Sequence, residues 1–578
     1  MNTPSVQTVP NTTITQKTIR IAPLVRIDIT EEFGWRRMAS GPVNVWFAGR
    51  LYGDGLARVQ RAAWGSDLKA LERLLPDLDG HFALVVEADG AVLAAVDPIA
   101  SFPLFVAQTG EAVPCYAIDT RARRLAHRCG LSKLNDDAVL ALAMAGFTLG
   151  DSTLYCGLVN LRPGEYALFR DGRCERSRYF VYRPWQVHVR PLDKLQYELA
   201  DLLRALFEKL ANDLGGRTAL IPISAGIDSR LVASGLWAVG YRHVRCFSYG
   251  QRGNHEAEMG RRVAEHLGFP WKFIETTQKG KVAFFNGPLR REFDAVADTL
   301  AAIPFYQDLD ELRRLHECGY LPHDAVIING QSGDYLTGNH VPAALWSDPG
   351  PAMDKSARWN RILDASVAKH FSLWRHLLTG GHVERIKRLL RAEIEAWGGA
   401  ISEANLDFAL YEQSEYDNRQ THYVVQGQRA YDYLGFDWRL PLWDSALVKF
   451  FESVPLAAKR QQRLYRNTLQ RLNWGGVWRL PVNRTWVTPA WLRPVRLAVK
   501  FAVAPLGREI WHDLERRWFA WHMNTTCSYA IVAAGTVRRD RRGFRNAFSW
   551  HVEDYLVKKG ILLDDLVEPF DKHESACC

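Results

Sequence analysis

A chain of 578 residues exceeds what one hydrophobic core comfortably supports and predicts two or three domains. Hydrophobic residues at 47% and charged residues at 24% exclude wholesale disorder, and a net charge of +9 is too modest for this length to imply a nucleic-acid partner. No run of about 18 apolar residues is free of charge; the nearest, residues 491–507, is broken by Arg493, Arg496 and Lys500 and is not expected to span a bilayer.

In chain order, residues 1–17 are rich in Thr, Asn, Pro and Gln, read as disordered, and carry no secretory signal pattern. Up to about residue 184 the segments are short, alternating and punctuated by Gly and Pro: 43–47, 81–86, 91–96, 104–107 and 166–170, with a helix over 66–75. Past residues 184–195 the rhythm becomes strand, helix, strand. A strand over 218–223 precedes a helix over 228–239 closed by Gly240, then a strand over 243–249 and a helix over 256–267 closed by Gly268. Strands over 271–276 and 325–329 follow, and this alternation predicts a parallel, doubly wound sheet. From about Lys355 the chain reads mostly helical, and no internal repeat is visible.

The nine cysteines are scattered, with neither metal-ligand spacing nor scaffold density, which favours a reducing cytoplasm. Cys577-Cys578 reads as an unpatterned tail rather than a lipidation signal. Arg538, Arg539, Arg541, Arg542 and Arg545 form the densest basic cluster, read as a solvated face with an anionic surface as the alternative.

The sharpest chemical feature is Ser224-Ala225-Gly226-Ile227-Asp228-Ser229, between a strand and a helix. Small residues let a ligand approach the backbone, and the helix start directs free N–H groups at an anion. Ser224 and Ser229 add hydroxyls, and Asp228 adds a carboxylate suited to Mg²⁺. The lysine of a Walker A loop is absent, and a simple helix cap is the bland alternative.

This segment resembles the pyrophosphate loop of the asparagine synthetase family, Ser-Gly-Gly-x-Asp-Ser, with Ala225 in place of a glycine. Cys246-Phe247-Ser248-Tyr249 resembles the family's second strand, and Asn254-His255-Glu256-Ala257-Glu258 sits where the family has an acidic pair. Gly330-Gln331-Ser332-Gly333-Asp334-Tyr335-Leu336-Thr337-Gly338 is similar to Gly-Glu-Gly-Ala-Asp-Glu-Leu-x-Gly. Trp438-Arg439-Leu440-Pro441-Leu442-Trp443-Asp444 and Arg463-Leu464-Tyr465-Arg466 resemble two later family segments, with Arg463 where the family's lysine assists the reaction. The resemblance implies ATP held along Ile223, Ser224, Ala225, Gly226, Ile227, Asp228 and Ser229, with Phe247, Ser248, Gly330, Ser332 and Gly333 around it. It implies Mg²⁺ on Asp228 and Asp334, and a reaction centre of Asp228, Asp334, Gln331 and Arg463. A serine-hydrolase reading of Gly330-Gln331-Ser332 fails because Asp334 stands where the elbow's last glycine belongs.

The N-terminal part resembles the same family's amidohydrolase-like sandwich through Ala48-Gly49-Arg50-Leu51-Tyr52, Leu78-Asp79-Gly80-His81-Phe82-Ala83, Asp97-Pro98, Ser101-Phe102-Pro103-Leu104-Phe105 and Leu161-Arg162-Pro163-Gly164. The family's nucleophilic cysteine is not found: Met1 is followed by Asn2, the first cysteine is Cys115, and Ala48 and Arg50 replace the Asn and Glu of the glutamine-binding Asn-Gly-Glu. Glutamine hydrolysis by this chain is therefore not expected.

The resemblance implies an α/β protein: a disordered extension (1–19), an Ntn-hydrolase-like α+β sandwich (20–190), a parallel-sheet ATP pyrophosphatase domain (191–480) and a helical, basic extension (481–578). The implied reaction adenylates a carboxylate and passes it to ammonia or an amine, drawn from a separate glutaminase or from solution. Gln331, unlike the glutamate of asparagine-forming relatives, cannot serve as a base, which points away from free aspartate. The cysteine-less branch most resembled is associated with surface polysaccharides such as O-antigen and implies a uronic acid on a nucleotide sugar or lipid-linked glycan. A peptide cyclase or lactam-forming enzyme, a glutamine-hydrolysing asparagine synthase and a non-catalytic scaffold are the alternatives. Expected partners are a small-molecule or glycan carboxylate and a peripheral contact with the inner face of the membrane, with a homodimer as one arrangement and no nucleic acid.

Overall fold

The computed structural model describes residues 25–40, 43–109, 115–347, 353–400, 406–481 and 485–567. The expected disordered start and the terminal cysteine pair lie outside the described residues.

The first strands are β1 (Val25–Asp28), β2 (Trp35–Ser40), β3 (Val43–Leu51), β4 (Gly80–Ala88), β5 (Ala91–Val96), β6 (Phe105–Thr109), β7 (Cys115–Asp119), β8 (Leu158–Asn160), β9 (Glu165–Arg170) and β10 (Arg173–Arg178). They form a four-stranded sheet, β1-β7-β6-β8, and a six-stranded sheet, β10-β9-β5-β4-β3-β2. Period-two alternation sorts the larger sheet's side chains. Val45, Phe47, Phe82, Leu84 and Leu93 face the helices Gly55–Trp64 and Leu68–Leu74. Trp46, Ala83, Val85, Val92 and Ala94 face the other way and join Val106 and Ile118 of the smaller sheet. Both faces are covered, so β4 and β5 read as near-continuous apolar runs.

The long helix Leu192–Leu214 opens the second half, presenting Leu195, Leu199, Leu203, Leu206 and Leu210 at helical spacing. Five parallel strands follow: β11 (Ala219–Pro222), β12 (Val244–Gly250), β13 (Trp271–Glu275), β14 (Val326–Ile328) and β15 (Asp437–Arg439), in the order β13-β12-β11-β14-β15. This is the α/β architecture expected from the alternation. The strand order reverses between β11 and β14, and in such sheets the crevice beyond the strand ends at that point is where ligands bind. β15 adds an edge that hydrophobic rhythm did not announce, because a three-residue strand carries too little pattern to register.

The helical part includes Lys355–His370, Gly380–Ala396 and Asp407–Glu415, the last running on into a π-helical stretch, Tyr416–Val424. Near the C-terminus, Trp550, Val552 and Tyr555 of the helix Ala547–Val557 share one hydrophobic cluster with Leu142 and Trp374, so this region packs into the body of the molecule. Among the described residues no helix is long and apolar enough to cross a membrane.

Candidate active site

The loop after β11 runs directly into the helix Ile227–Ala238, with Gly226 as its N-cap. Gly226 has φ −65° and ψ 162°, an ordinary extended conformation, and Ala225 is likewise outside the left-handed region. Backbone strain therefore does not require glycine at either position; smallness serves access. The loop is held by its own hydroxyls: Ser224 N–H donates to Ser229 Oγ (3.1 Å), and Gly226 N–H donates to Ser224 Oγ (3.0 Å). Ala225 N–H donates to the Glu256 carboxylate at 2.9 Å, so an anion already sits on one loop amide. A negatively charged acceptor at this helix start is what the orphan N–H groups and the helix dipole favour.

The loop after β14 closes against it. A methyl group on Gly330 would lie 2.8 Å from the Asp228 carbonyl carbon and 2.9 Å from Ser229 N, so glycine alone permits this approach of two backbones. Asp334 N–H donates to Asp228 Oδ2 at 2.8 Å, and the Tyr465 hydroxyl donates to Asp228 Oδ1 at 2.9 Å. Burial first, then the nearby Asp334 carboxylate, pushes Asp228 above the usual carboxylate range. For Asp334 burial pulls upward most strongly, but the hydrogen bond and charge of His340, together with the Arg419 charge, hold the group below its usual range. His340 Nε2 lies 3.0 Å from Asp334 Oδ2, while its Nδ1 contacts buried Glu415. Burial opposes the charge on His340, yet these two carboxylates raise it to about 9, so the imidazole is a cation at neutral pH. Glu415 also accepts from Gln420 (2.9 Å) and Tyr411 (2.8 Å), which fixes the whole array.

A cavity of about 380 Å³ opens over both loops. Of the residues expected to hold nucleotide, Ile223, Ser224, Gly226, Asp228, Ser229, Phe247, Ser248, Gly330 and Ser332 line it, together with Asp334 and Gln331. Ala225, Ile227 and Gly333 do not line it; Gly333 is packed so closely that an added Cβ would lie 2.6 Å from the Asp228 carboxyl. Ser248 Oγ is committed to the Ile223 carbonyl (2.6 Å) and the Trp271 indole (3.0 Å), which makes it a brace of the wall. Ser332 Oγ donates to Gln420 Oε1 (2.9 Å) and has the bonding of a structural hydroxyl. Both ends of the Gln331 amide are engaged, Nε2 by Val424 O and Oε1 by Gln428 at 2.6 Å, so its role is to shape the site.

Arg463 is not brought here. It is exposed at the start of the helix Arg463–Leu472 and is absent from the cavity wall, whereas Tyr465, one face round, reaches Asp228. The structure does not bring the expected Arg463 cation to this cavity, because residues two apart on a helix point in different directions. His340, Glu415 and Glu256 were not singled out by sequence reasoning. Glu256 lay inside a quoted segment, but His340 and Glu415 are separated by 75 positions and converge only through the fold.

Two carboxylates beside an anion-favouring loop suit Mg²⁺, which takes one or two protein carboxylates and fills its sphere with phosphate oxygens and water. Among the described residues no group of three or more His, Cys, Asp or Glu side chains forms a protein-only metal site. The partly neutralised Asp228–Asp334 pair is the donor set that remains, and mutual repulsion there is what a bound cation would relieve.

A second cavity, of about 690 Å³, adjoins the first: Tyr249, Phe305, Gln307 and Thr526 line both. Its walls carry Phe284, Phe285, Tyr306 and Phe548 alongside Lys281, Asp308, Glu311 and Asn546.

No curated protein matches the chain. Among solved structures it is similar to one titled as the allosteric regulatory enzyme of purine biosynthesis, at 12% identity over 50% of this chain and 55% of that one, with a TM-score of 0.17. It is also similar to the glutamine phosphoribosylpyrophosphate amidotransferase from B. subtilis complexed with ADP and GMP, at 12% identity over 51% and 63%, with a TM-score of 0.16. The chain thus spans 55% and 63% of the lengths of these proteins. The family match, in contrast, falls on the segment that builds the site: residues 217–475 match the model for asparagine synthase.

Proposed function

We propose that this protein is an amide-forming ligase that adenylates the carboxylate of a uronic acid in a surface glycan such as O-antigen. In the first step a carboxylate oxygen attacks the α-phosphorus of ATP, the bond to the bridging oxygen breaks and pyrophosphate leaves. In the second, the nitrogen of ammonia or an amine attacks the acyl carbon and AMP departs with the C–O electron pair. The loop Ser224–Ser229 would orient the phosphates through its N–H groups, displacing the Glu256 carboxylate from Ala225. Asp228 and Asp334 would hold Mg²⁺, which when bound offsets charge on the departing pyrophosphate. His340, fixed between Asp334 and Glu415, orients Asp334 and keeps its carboxylate charged.

The observation that carries the substrate reading is the second cavity. Aromatic faces pack against the C–H faces of a sugar ring, while amides such as Gln307 and Asn546 would accept from and donate to its hydroxyls. A chamber of this size is generous for an aspartate side chain. On the N-terminal side, Arg50 occupies the altered Ala48-Gly49-Arg50 segment and pairs with Asp213 at 2.7 Å, an interdomain strut in place of a glutamine contact. That supports an external nitrogen source.

The test is substrate-dependent ATP–pyrophosphate exchange with purified full-length protein, offered free and glycan-linked uronic acids, aspartate and peptides. Exchange with uronic acids, and a product one dalton lighter with ammonium as donor, is expected. Exchange with aspartate or peptides alone would replace this reading with an asparagine synthase or a cyclase; folded protein inert toward every carboxylate would make it a scaffold.

A further inference from the structure

In a folded protein most large apolar side chains turn inward, and a contiguous exposed set marks an interaction surface. Here one such set is confined to a short stretch. Trp491 (62% exposed), Phe501 (71%) and Leu506 (63%), with Val495, Leu497, Ile510 and Trp518, all lie within 28 residues outside the matched family segment. They sit on two helices, Leu492–Val503 and Arg508–Trp518, which form a projecting hairpin with a small core of its own: Leu492, Trp511 and Phe519, backed by Val499, Val503 and Leu514.

The first helix has three longitudinal zones. At 3.6 residues per turn, Leu492, Val499 and Val503 fall together on the face turned to the second helix. Arg493 and Lys500 form an exposed basic edge beside them, while Arg496 between the two pairs with Glu515 of the second helix at 2.6 Å. The remaining arc of about 160° holds Trp491, Pro494, Val495, Leu497, Ala498, Phe501 and Ala502, all exposed. The most apolar face of this helix therefore points to solvent, bordered along one side by cations. Basic residues continue along the hairpin's base: the Arg538 guanidinium lies 4.6 Å over the Trp518 ring, and Arg539 and Arg541 beside it are exposed.

We propose that this hairpin is a monolayer anchor that docks the protein on a membrane surface rich in anionic lipids. An exposed apolar arc bordered by Arg and Lys, with Trp at its edge, matches the interface of such a bilayer, where the arc enters the acyl boundary and the cations meet headgroups. A protein partner would require matching acidic residues, but nothing on the hairpin favours a discrete pocket over a plane. The helices are too short and too charged to cross.

The placement has a consequence for the active site. The hairpin leaves and rejoins the body at the β12 end: the Trp486 indole donates to Gly253 O at 2.9 Å, and Gln251 N–H donates to Thr525 O at 2.7 Å. Thr525 and Thr526, just after the hairpin, line the nucleotide cavity, and Thr526 also lines the larger chamber. Docking would bring the mouth of the site to the lipid surface, where a lipid-linked substrate resides. The docking inference itself does not depend on the reaction.

Flotation of the full-length protein with phosphatidylcholine vesicles, with and without phosphatidylglycerol, tests it. Wild type is expected to float with the anionic vesicles and to remain largely unbound with phosphatidylcholine alone. The double variant Leu497→Glu/Phe501→Glu, altered only at exposed positions, should keep the wild-type melting temperature and lose at least ten-fold in bound fraction. Arg493→Glu/Lys500→Glu should lose binding selectively toward anionic vesicles. The proposal is overturned if wild type does not float, if the apolar variant floats equally well, or if sedimentation shows a dimer that this variant dissociates, since a second copy would then cover the face.

Discussion

At the residue scale, Asp228 accepts one hydrogen bond from the Asp334 backbone and one from Tyr465, while its charge is disfavoured by burial and by the Asp334 carboxylate. Asparagine at this position keeps an acceptor oxygen but no charge. Asp228→Asn should therefore match or exceed wild type in melting temperature while pyrophosphate exchange falls by about 100-fold or more, the scale expected when charge stabilisation at a leaving group is lost. A melting temperature several degrees lower would show that Asp228 is needed chiefly for folding. Tyr465 and Arg463 offer a paired comparison. Tyr465→Phe removes the only hydroxyl donor to Asp228 among the described residues and should cost at least about ten-fold in exchange, since a hydrogen bond to a charged group contributes roughly 1.5–3 kcal/mol. Arg463→Ala, on an exposed position, should stay within about two-fold of wild type; a larger loss from Arg463 than from Tyr465 would reverse the assignment.

At the scale of elements, the site exists because the loops after β11 and β14 meet at the sheet's reversal point, and Gly330 sets their separation. Gly330→Ala has no low-cost solution, since its methyl group would strike backbone at Asp228 and Ser229 that cannot rotate away. The expected outcome is a stability loss of about 1–3 kcal/mol from overpacking, with ATP affinity reduced in the refolded fraction. Unchanged urea midpoint and nucleotide affinity would mean the loops are not in register as described. The same two loops were the most legible part of the sequence, because each is short, Gly-containing and tied to an apolar strand, so chemistry and position are read together. The strands of the parallel sheet were visible for that reason too, apart from β15, while the helix Gly55–Trp64 went unnoticed because its apolar stripe is narrow and two glycines border it. What could not be read was convergence. The Asp334–His340–Glu415 array joins a loop after β14 to the helix Asp407–Glu415, and no periodicity encodes that meeting. A motif fixes the position of Arg463 along the chain but not in space, since two residues along a helix turn a side chain through more than half a circle.

At the scale of the whole molecule, the N-terminal sandwich reaches the segment behind the site through hydrogen bonds such as Gly150 N–H to Asn418 Oδ1 (2.9 Å) and Tyr416 O–H to Pro98 O (2.7 Å), and through a buried ion pair. Arg178, on edge strand β10, grips Asp417 with two nitrogens at 2.8 and 2.9 Å, and its plane covers the Trp397 ring at 4.7 Å. Asp417 lies in the π-helical stretch Tyr416–Val424, directly after Glu415 and before Gln420, the residues that hold His340 and Ser332. The sandwich therefore clamps the segment behind the reaction centre, which gives it a function independent of any glutaminase chemistry. Both charges are nearly excluded from water, so removing one strands the other. Arg178→Met should destabilise the protein by about 3–5 kcal/mol and lower exchange as the π-helical stretch loosens. Replacing both partners, Arg178→Met with Asp417→Leu, removes the stranded charge and should recover most of the stability, since apolar substitutes for a buried pair are often neutral. Exchange separates clamp from filler: if position matters, the double variant regains its melting temperature but not its full rate, because Asp417 also receives the Gln413 amide at 2.5 Å and that bond goes with it. Full recovery of both would reduce the pair to packing, and an unaltered single variant would show that this ion pair does not clamp the π-helical stretch.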